Sequence, residues 1–180
     1  MASLFSHALV AVTAGRAYAV KNRHPHFRTL GIVCAIVPDA DVIAFAFGIP
    51  YRHFLGHRGF THSLFFAALL ALILMAFLFR HETLPARKRL VYASYFFVCT
   101  ASHGVLDALT NGGLGVAFFS PFDNTRYFLP WHPIQVSPIG ILNFFSAWGL
   151  HVVLSEALWV GVPCFLLLGL FKFVQIRRAQ

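Results

Sequence analysis

The sequence predicts an all-α, polytopic integral membrane protein, a bundle of about five transmembrane helices. Hydrophobic residues make up 58% of the 180 residues and charged residues only 11%, whereas roughly a quarter of the residues in a soluble domain are charged. Mean hydropathy is +0.72. One soluble core cannot bury that much apolar surface. No repeat, low-complexity tract or linker divides the chain, which predicts a single domain over residues 1–180.

Five apolar segments account for the predicted spans. Residues 64–79 form 16 uninterrupted apolar positions and are the most clearly defined span. The others lie at about residues 3–20, 29–48, 90–111 and 139–171. The first ends in "AYA", similar to a signal-peptidase site, but it lacks a basic start and contains Arg16, so a retained helix is expected. The last is expected to be one tilted helix, kinked at Pro163, with an interfacial lead-in.

The basic residues sort by connection between spans. Ten of the 14 follow the first, third and fifth spans: Lys21, Arg23 and Arg28; Arg80, Arg87, Lys88 and Arg89; Lys172, Arg177 and Arg178. The positive-inside rule places these connections in the cytoplasm, so the N-terminus is expected outside and the C-terminus inside. Because the net charge of +8 is not gathered on one face, no nucleic-acid partner is expected.

Two further features concern the cysteines and one long connection. Cys34, Cys99 and Cys164 each lie singly in an apolar segment without metal-ligand spacing, so they are expected to be small core residues. The connection over residues 112–140 contains several prolines and little periodicity. Segments of that length in compact proteins are often functional.

Ionisable residues within the apolar segments are the first candidates for chemistry, because each costs roughly 2.5 to 3.5 kcal/mol near the centre of a spanning helix. His103 and Asp107 in "HGVLD" are four residues apart and therefore share one helix face. They can form a hydrogen bond that holds two spans together, or they can bind a ligand. Asn111 extends the same stripe, and Gly112 is expected to end the helix.

The motif "PDAD" contributes two more carboxylates. Asp39 and Asp41 are two residues apart, which on a regular helix would turn them about 200° from one another. Pro38 disfavours a regular helix at this point, so a broken segment can turn both carboxylates toward one place. Two uncompensated carboxylates are a poor structural device in lipid, and metal or proton chemistry is therefore favoured.

The block "HRGFTHS", residues 57–63, lies directly before the most apolar run. Gly59 permits a tight turn, Thr61 can cap the third helix, and His62 then lies in the first helical turn beside His57. The alternative is that both histidines are solvated loop residues and that Arg58 anchors the chain at the interface.

Under the predicted topology, seven residues converge on the outer leaflet: His7, Asp39, Asp41, His57, His62, His103 and Asp107. Imidazoles and carboxylates without thiolates suit zinc, manganese or iron. We expect one or two divalent ions, zinc first, with Asp39 or Asp107 bridging a second ion. The expected metal ligands are His7, Asp39, His62, His103 and Asp107.

The order of His7, "PDAD", "HRGFTHS" and "HGVLD" resembles the YdjM-like family of bacterial inner-membrane-associated metal-dependent hydrolases. The resemblance runs from His7 to the segment "SPFDNTRY" and implies metal-dependent hydrolysis at the inner membrane. A fainter similarity links the chain to the zinc-dependent phospholipase C and P1 nuclease group, through the "PD" motif and an H-x-x-x-D pair. That likeness implies Asp39, His103 and Asp107 as ligands. This sequence differs from the group in having no clear late H-x-x-x-E pair.

These observations predict an enzyme that hydrolyses a lipid-borne bond, a phosphoester first. The expected catalytic residues are Asp41, Arg58 and His57, with Arg58 and Arg126 holding phosphate oxygens. Asp41 is expected either to orient a ligand or to act as a base. Tyr127 and the neighbouring aromatic residues are expected to guide the lipid. Alternatives are hydrolysis of a lipid amide or carboxylic ester, a metal or proton transporter, and a structural membrane scaffold. The roles of His151, Ser155 and Glu156 and the oligomeric state are left open.

Overall fold

The computed structural model describes residues 1–18 and 24–177, and its regular structure is helical. The elements in chain order are α1 (Leu4–Ala17), α2 (Phe27–Ile36), a 3₁₀ helix (Val37–Phe47), a short 3₁₀ turn (Phe60–His62), α3 (Leu64–Phe77), α4 (Ala86–Ala108), α5 (Ile141–Phe144), α6 (Ala147–Glu156), a π turn (Ala157–Gly161) and α7 (Val162–Arg177). Within the described ranges no β-strand forms, only two isolated bridges, and the all-α prediction is confirmed. Lys21, Arg23 and Arg178 of the charge pattern lie outside the described residues.

Helix α4 is the centre of the bundle and packs against α1, α2 and α3. Its buried residues recur every three or four positions, which places them on one stripe. That stripe begins with Tyr92, Phe96 and Cys99, which pack in the apolar core. It continues to His103 and Asp107 at the far end of the helix, both fully buried. One continuous face of α4 therefore carries the apolar core at one end and polar groups at the other.

Tyr95 shows how closely α1, α2 and α4 approach one another. Its ring stacks on Phe27 of α2, with ring centroids 4.3 Å apart, and its hydroxyl donates to the carbonyl of Ala11 in α1 at 3.1 Å. The ring fits only because residue 31 is glycine: a Cβ there would lie 2.1 Å from the Tyr95 hydroxyl. The three free cysteines, Cys34, Cys99 and Cys164, are buried as expected.

The last apolar segment forms one long helix with a short lead-in, as predicted. Residues Ala147–Arg177 run 31 residues at a hydropathy of 2.1, and 17% of the most apolar window is buried. A π turn, Ala157–Gly161, interrupts this helix just before Pro163, whose nitrogen cannot donate a helical hydrogen bond. Phe165 and Leu166 are about two-thirds exposed. So large an unburied apolar face is typical of a helix that faces lipid.

The helix lengths differ from the predicted spans. Two helices of the described chain, Phe27–Phe47 and Ala147–Arg177, are long and apolar enough to cross a membrane. Helix α3, expected to be the clearest span, has 14 residues, about 21 Å, whereas a hydrocarbon core is about 30 Å thick. Helix α4 has 23 residues, but its basic first turn and its polar end lower its hydropathy.

Two helix boundaries also differ from expectation. Helix α4 ends at Ala108, so Asn111 lies outside it and accepts a hydrogen bond from the backbone of Val136. Ser63, not Thr61, caps α3 by accepting from the amide of Phe66 at 3.0 Å. Thr61 lies in the 3₁₀ turn before the helix begins, and its hydroxyl donates to Asp41 at 2.7 Å.

The packing at Tyr95 generates a test of the fold. Gly31→Ala should destabilise the protein by about 1 to 3 kcal/mol, because the buried Tyr95 ring has no room to move away from the added methyl group. Gly169→Ala is the matched control, since a Cβ there meets no atom within 4 Å. Thermal unfolding in detergent measures both. Equal melting temperatures for the two variants would contradict the packing described.

Candidate metal centre

The block "HRGFTHS" folds into tight turns that direct its polar side chains inward. Arg58 adopts a left-handed conformation with φ of 62°, and a Cβ at residue 59 would lie 2.2 Å from the carbonyl oxygen of Phe54, so only glycine fits. His57, Arg58 and His62 are consequently 1%, 0% and 2% exposed. Burial at this level excludes the alternative in which the histidines are solvated loop residues.

Asp39 and Asp41 lie on the 3₁₀ helix that replaces α2 after Ile36, with Pro38 in its first turn. At three residues per turn, side chains two positions apart diverge by about 120°. On an α-helix the same two positions are about 200° apart in one direction round the axis, which is about 160° in the other. The two carboxylates flank His62: Asp39 Oδ1 lies 3.7 Å from its Nε2, and Asp41 Oδ2 lies 3.1 Å from its Nδ1. The break at Pro38 therefore directs both carboxylates into the interior, as predicted.

Four buried side chains form the inner cluster: Asp39, His62, His103 and Asp107. Each offers one ligand atom, and the four atoms all lie within 4.8 Å of one another. The shortest separations are 3.1 Å between the two histidine Nε2 atoms, 3.3 Å from His103 Nε2 to Asp39 Oδ1, and 3.6 Å from His62 Nε2 to Asp107 Oδ2. Neighbouring ligands of a tetrahedral zinc ion are about 3.3 Å apart. The described geometry thus fits a divalent ion.

The outer nitrogens of the two histidines are already engaged. His103 Nδ1 lies 2.7 Å from the carbonyl oxygen of Ala35, and His62 Nδ1 faces Asp41. A neutral imidazole that donates from Nδ1 carries a lone pair at Nε2. Without an ion, one of the two Nε2 atoms has to carry a proton and donate it to the other at 3.1 Å, and a divalent ion between them would replace that proton. Hydrogen bonds of this kind to the outer nitrogen are usual for histidines that bind metal.

The electrostatic field at the cluster favours positive charge. Burial acts to lower the pKa of His62, but the neighbouring carboxylates of Asp107, Asp39 and Asp41 outweigh it and raise that pKa to about 10. His57 behaves in the opposite way: burial dominates and lowers its pKa, despite the hydrogen bond to Asp41. A cation is thus stabilised beside His62, whereas His57 is kept neutral.

His7 lies beside the inner cluster. Its ring stacks on His103 with centroids 3.7 Å apart, and its Nε2 is 3.7 Å from Asp107 Oδ1. Both of its nitrogens are buried without a hydrogen-bond partner, as are both oxygens of Asp39 and Nε2 of His57. A second group, Asp41, His57 and His62, also has ligand spacing. Its atoms are engaged with one another, however, at 2.7 Å between His57 Nδ1 and Asp41 Oδ1.

Arg58 is buried beneath the cluster, and this position does not favour the expected role as a phosphate clamp. Its Nε donates to Asp107 Oδ2 at 3.0 Å, its Nη1 to the carbonyl of Gly112 at 2.8 Å and its Nη2 to the hydroxyl of Thr110 at 2.9 Å. The side chain is 0% exposed. A guanidinium enclosed in this way orients Asp107 and is separated from any incoming substrate.

Asp41 also differs from its expected role as a base. Its Oδ1 pairs with His57 Nδ1, and its Oδ2 accepts from the amide of Arg58 and the hydroxyl of Thr61 while it faces His62 Nδ1. With four partners it is placed to orient the two histidines. That is the other role expected for it.

Arg126 and Tyr127 lie on the outer connection. Arg126 donates to the carbonyls of His57 at 2.8 Å and Tyr51 at 2.9 Å, and it lines a surface pocket of about 370 Å³ with Arg52. The hydroxyl of Tyr127 donates to Asp123 Oδ2 at 3.0 Å. The contacts of Arg126 join the connection after α4 to the turns around residues 51–57. Substrate binding by Arg126 and Tyr127 stays a prediction.

Several supporting groups carried no signal in the sequence. Asp107 Oδ1 accepts from the backbone amide of Ala2 at 2.7 Å, and backbone groups such as this amide and the Ala35 carbonyl have no residue-type signature. Glu156 is buried and accepts from the amide and hydroxyl of Ser3. Ser155 accepts from the amide of Gln135, and His151 is exposed. Glu156 and Ser155 thus pair between elements, and neither they nor His151 belong to the inner cluster.

Asp39 offers the cleanest test of metal binding. Because its oxygens have no hydrogen-bond partner in the protein, Asp39→Asn removes a charge without breaking a hydrogen bond. We expect the affinity for zinc to fall at least about tenfold, as measured by elemental analysis and by competition with a chelator. Asp123→Asn, at an acid far from the cluster, should retain zinc. Equal zinc affinity in the two variants would exclude Asp39 as a ligand.

Arg58→Lys tests the role of the arginine. Lysine keeps the charge but cannot place three donors in a planar fork. We expect a loss of about 2 to 3 kcal/mol of stability, together with weaker zinc binding. Arg52→Lys on the exposed face of the same loop should change neither quantity. Unchanged stability and zinc content with lost turnover would instead restore the phosphate-clamp role.

Comparison with known proteins agrees with the family resemblance. The model of the YdjM inner membrane protein family matches residues 1–179. The inner membrane protein YbcI of Escherichia coli (strain K12) is 38% identical over 171 residues, which cover 94% of this chain and 96% of that protein. No solved structure matches the chain. The chain belongs to the YdjM inner membrane protein family.

Proposed function

We propose that this inner membrane protein is a metal-dependent hydrolase that cleaves a bond in a membrane lipid, a phosphoester first. The observation that carries the proposal is the inner cluster: two imidazole Nε2 atoms 3.1 Å apart, both facing Asp39 and Asp107. Zinc is the expected ion, with manganese or iron as alternatives, because the donors are nitrogen and oxygen. One ion fits the inner cluster, and His7 beside Asp107 is the candidate ligand for a second.

The supporting residues divide into ligands, positioning groups and a base. When bound, a divalent ion supplies Lewis acidity, which lowers the pKa of water toward 7 and polarises an ester oxygen. Arg58 orients Asp107. Asp41 holds His57 through Nδ1, so the free Nε2 of His57 can accept a proton. His57 is therefore the proposed general base, and its neutral state at physiological pH suits that role.

Two apolar clefts that include Asp39 in their lining support a lipid substrate. One has a volume of about 550 Å³, and its walls include Val42, Ile139 and Phe144. The other, of about 350 Å³, is lined by Val33 and Ile36, among others. An acyl chain lying in such a cleft would keep its apolar surface out of water while its ester group reaches the cluster.

The proposed orientation follows from the two ends of the bundle. The cluster lies where α1 begins and α4 ends, whereas Arg16, Arg87 and Lys172 lie toward the other end of their helices. The positive-inside rule then directs the cluster outward and both the basic end and the C-terminus toward the cytoplasm. Five membrane segments are proposed: α1, residues 27–47, α3, α4 and residues 147–177. The two short ones, α1 and α3, would require local thinning of the bilayer.

A second candidate reaction is hydrolysis of a carboxylic ester or amide in a lipid. It is favoured by the commitment of Arg58 to Asp107 and of Arg126 to backbone carbonyls, because neither guanidinium is left free as a phosphate clamp. A transporter is less well supported, because its polar residues would extend through the bilayer. Here they gather at one end.

A lipid-extract assay tests the function. Zinc-loaded protein in detergent should release a water-soluble phosphate compound from bacterial phospholipids, detected by ³¹P NMR; release of fatty acid instead would identify the second candidate. Asp39→Asn and His57→Ala should each lower turnover by at least about 100-fold, because they remove a metal ligand and the base. Asp123→Asn should be fully active. Metal-loaded protein that hydrolyses no lipid would contradict both reactions.

A further inference from the structure

A cleft between α1 and α7 lies away from the metal centre. It has a volume of about 500 Å³, and its lining includes the apolar residues Val12, Leu168 and Phe171 together with Arg16 and Lys172. Arg16 is nine residues beyond His7 on α1, about 14 Å along the helix axis. The cleft is therefore a separate site at the basic end of the bundle, and the proposed hydrolase does not use it.

The two cations of the cleft have no acidic partner in the described chain. The sequence contains six acidic residues, and the structure describes all of them. Asp39, Asp41 and Asp107 belong to the metal centre, and Glu156 binds Ser3. Glu82 lies 3.9 Å from His24, and Asp123 binds Tyr127. None of the six lines the cleft, so the side chains of the described residues supply no anion for Arg16 and Lys172.

We propose that this cleft binds an anionic phospholipid of the surrounding bilayer. The headgroup phosphate would lie between Arg16 and Lys172, and an acyl chain would cover Val12, Leu168 and Phe171. The apolar walls favour a lipid over free phosphate, because inorganic phosphate would leave them uncovered. Basic pockets between membrane helices on the cytoplasmic side are suited to anionic headgroups, and the proposed orientation places this end in that leaflet.

The proposal also accounts for how α7 is held. Only Cys164 of α7 is buried, and the helix contacts the bundle mainly along α1 and the π turn. Leu168 and Phe171 are partly buried at the edge of the cleft. A lipid in the cleft would bridge α1 and α7 by its headgroup and its chain, and it would stabilise the docked position of α7.

Lipid titration of the full-length protein in detergent tests this inference. Dioleoyl phosphatidylglycerol should bind, counted by native mass spectrometry, and should raise the melting temperature; dioleoyl phosphatidylcholine and sodium phosphate should do neither. Arg16→Gln with Lys172→Gln should weaken phosphatidylglycerol binding about 30-fold. The matched control, Arg80→Gln with Arg87→Gln, removes the same charge from the same end outside the cleft and should bind normally.

A third variant tests the acyl-chain position. Leu168→Trp keeps both cations but fills the cleft, and it should also weaken phosphatidylglycerol binding. Equal binding of the two lipids, equal loss in the matched control, or equal stabilisation by sodium phosphate would overturn the proposal. None of these readouts depends on hydrolysis: in the Asp39→Asn background, which should not turn the lipid over, Arg16→Gln with Lys172→Gln should cause the same loss of phosphatidylglycerol binding.

Discussion

The buried carboxylate of Asp107 is the constraint on which the rest of the structure depends. Its Oδ2 accepts from Arg58 and faces His62, and its Oδ1 accepts from the amide of Ala2 and faces His7. A charge buried in this way costs several kcal/mol unless it is paired and hydrogen-bonded. The start of α1, the turn at residues 57–63 and the end of α4 therefore have to meet at this one side chain, and together they form the candidate metal centre.

The protein alone does not complete the compensation of charge. Arg58 pairs with Asp107, but both buried oxygens of Asp39 lack a hydrogen bond, although His103 Nε2 lies 3.3 Å from one of them. The Nε2 atoms of His62 and His103 are 3.1 Å apart. A divalent ion would neutralise Asp39 and take the place of the proton between the two nitrogens. Metal binding and folding at this end of the bundle are then coupled, since the ligands come from three separate parts of the chain. The apolar exterior of the helices separates these buried polar groups from lipid.

Much of this arrangement could be predicted from residue type and order. Helical periodicity and apolar composition predicted the all-α fold. All four residues of the inner cluster were expected ligands, because few side-chain types bind divalent ions and all of them lie toward one end of the predicted spans. Helix lengths were less predictable: α3 stops at Phe77 although the apolar run continues to Phe79, because apolarity does not mark where a helix ends.

By itself, then, the sequence determined the helical class, the apolar exterior and the kinds of donor at the centre. Only the tertiary structure decided how near-equivalent groups divide the work. Asp39 enters the inner cluster and Asp41 supports His57 and His62, although a single residue separates them. Arg58 is buried against Asp107, whereas Arg126 remains partly exposed. The physical reason is that these roles depend on which oxygen faces which nitrogen, and that is set by 3₁₀ geometry and by contacts between residues up to 105 positions apart, which local patterns do not encode.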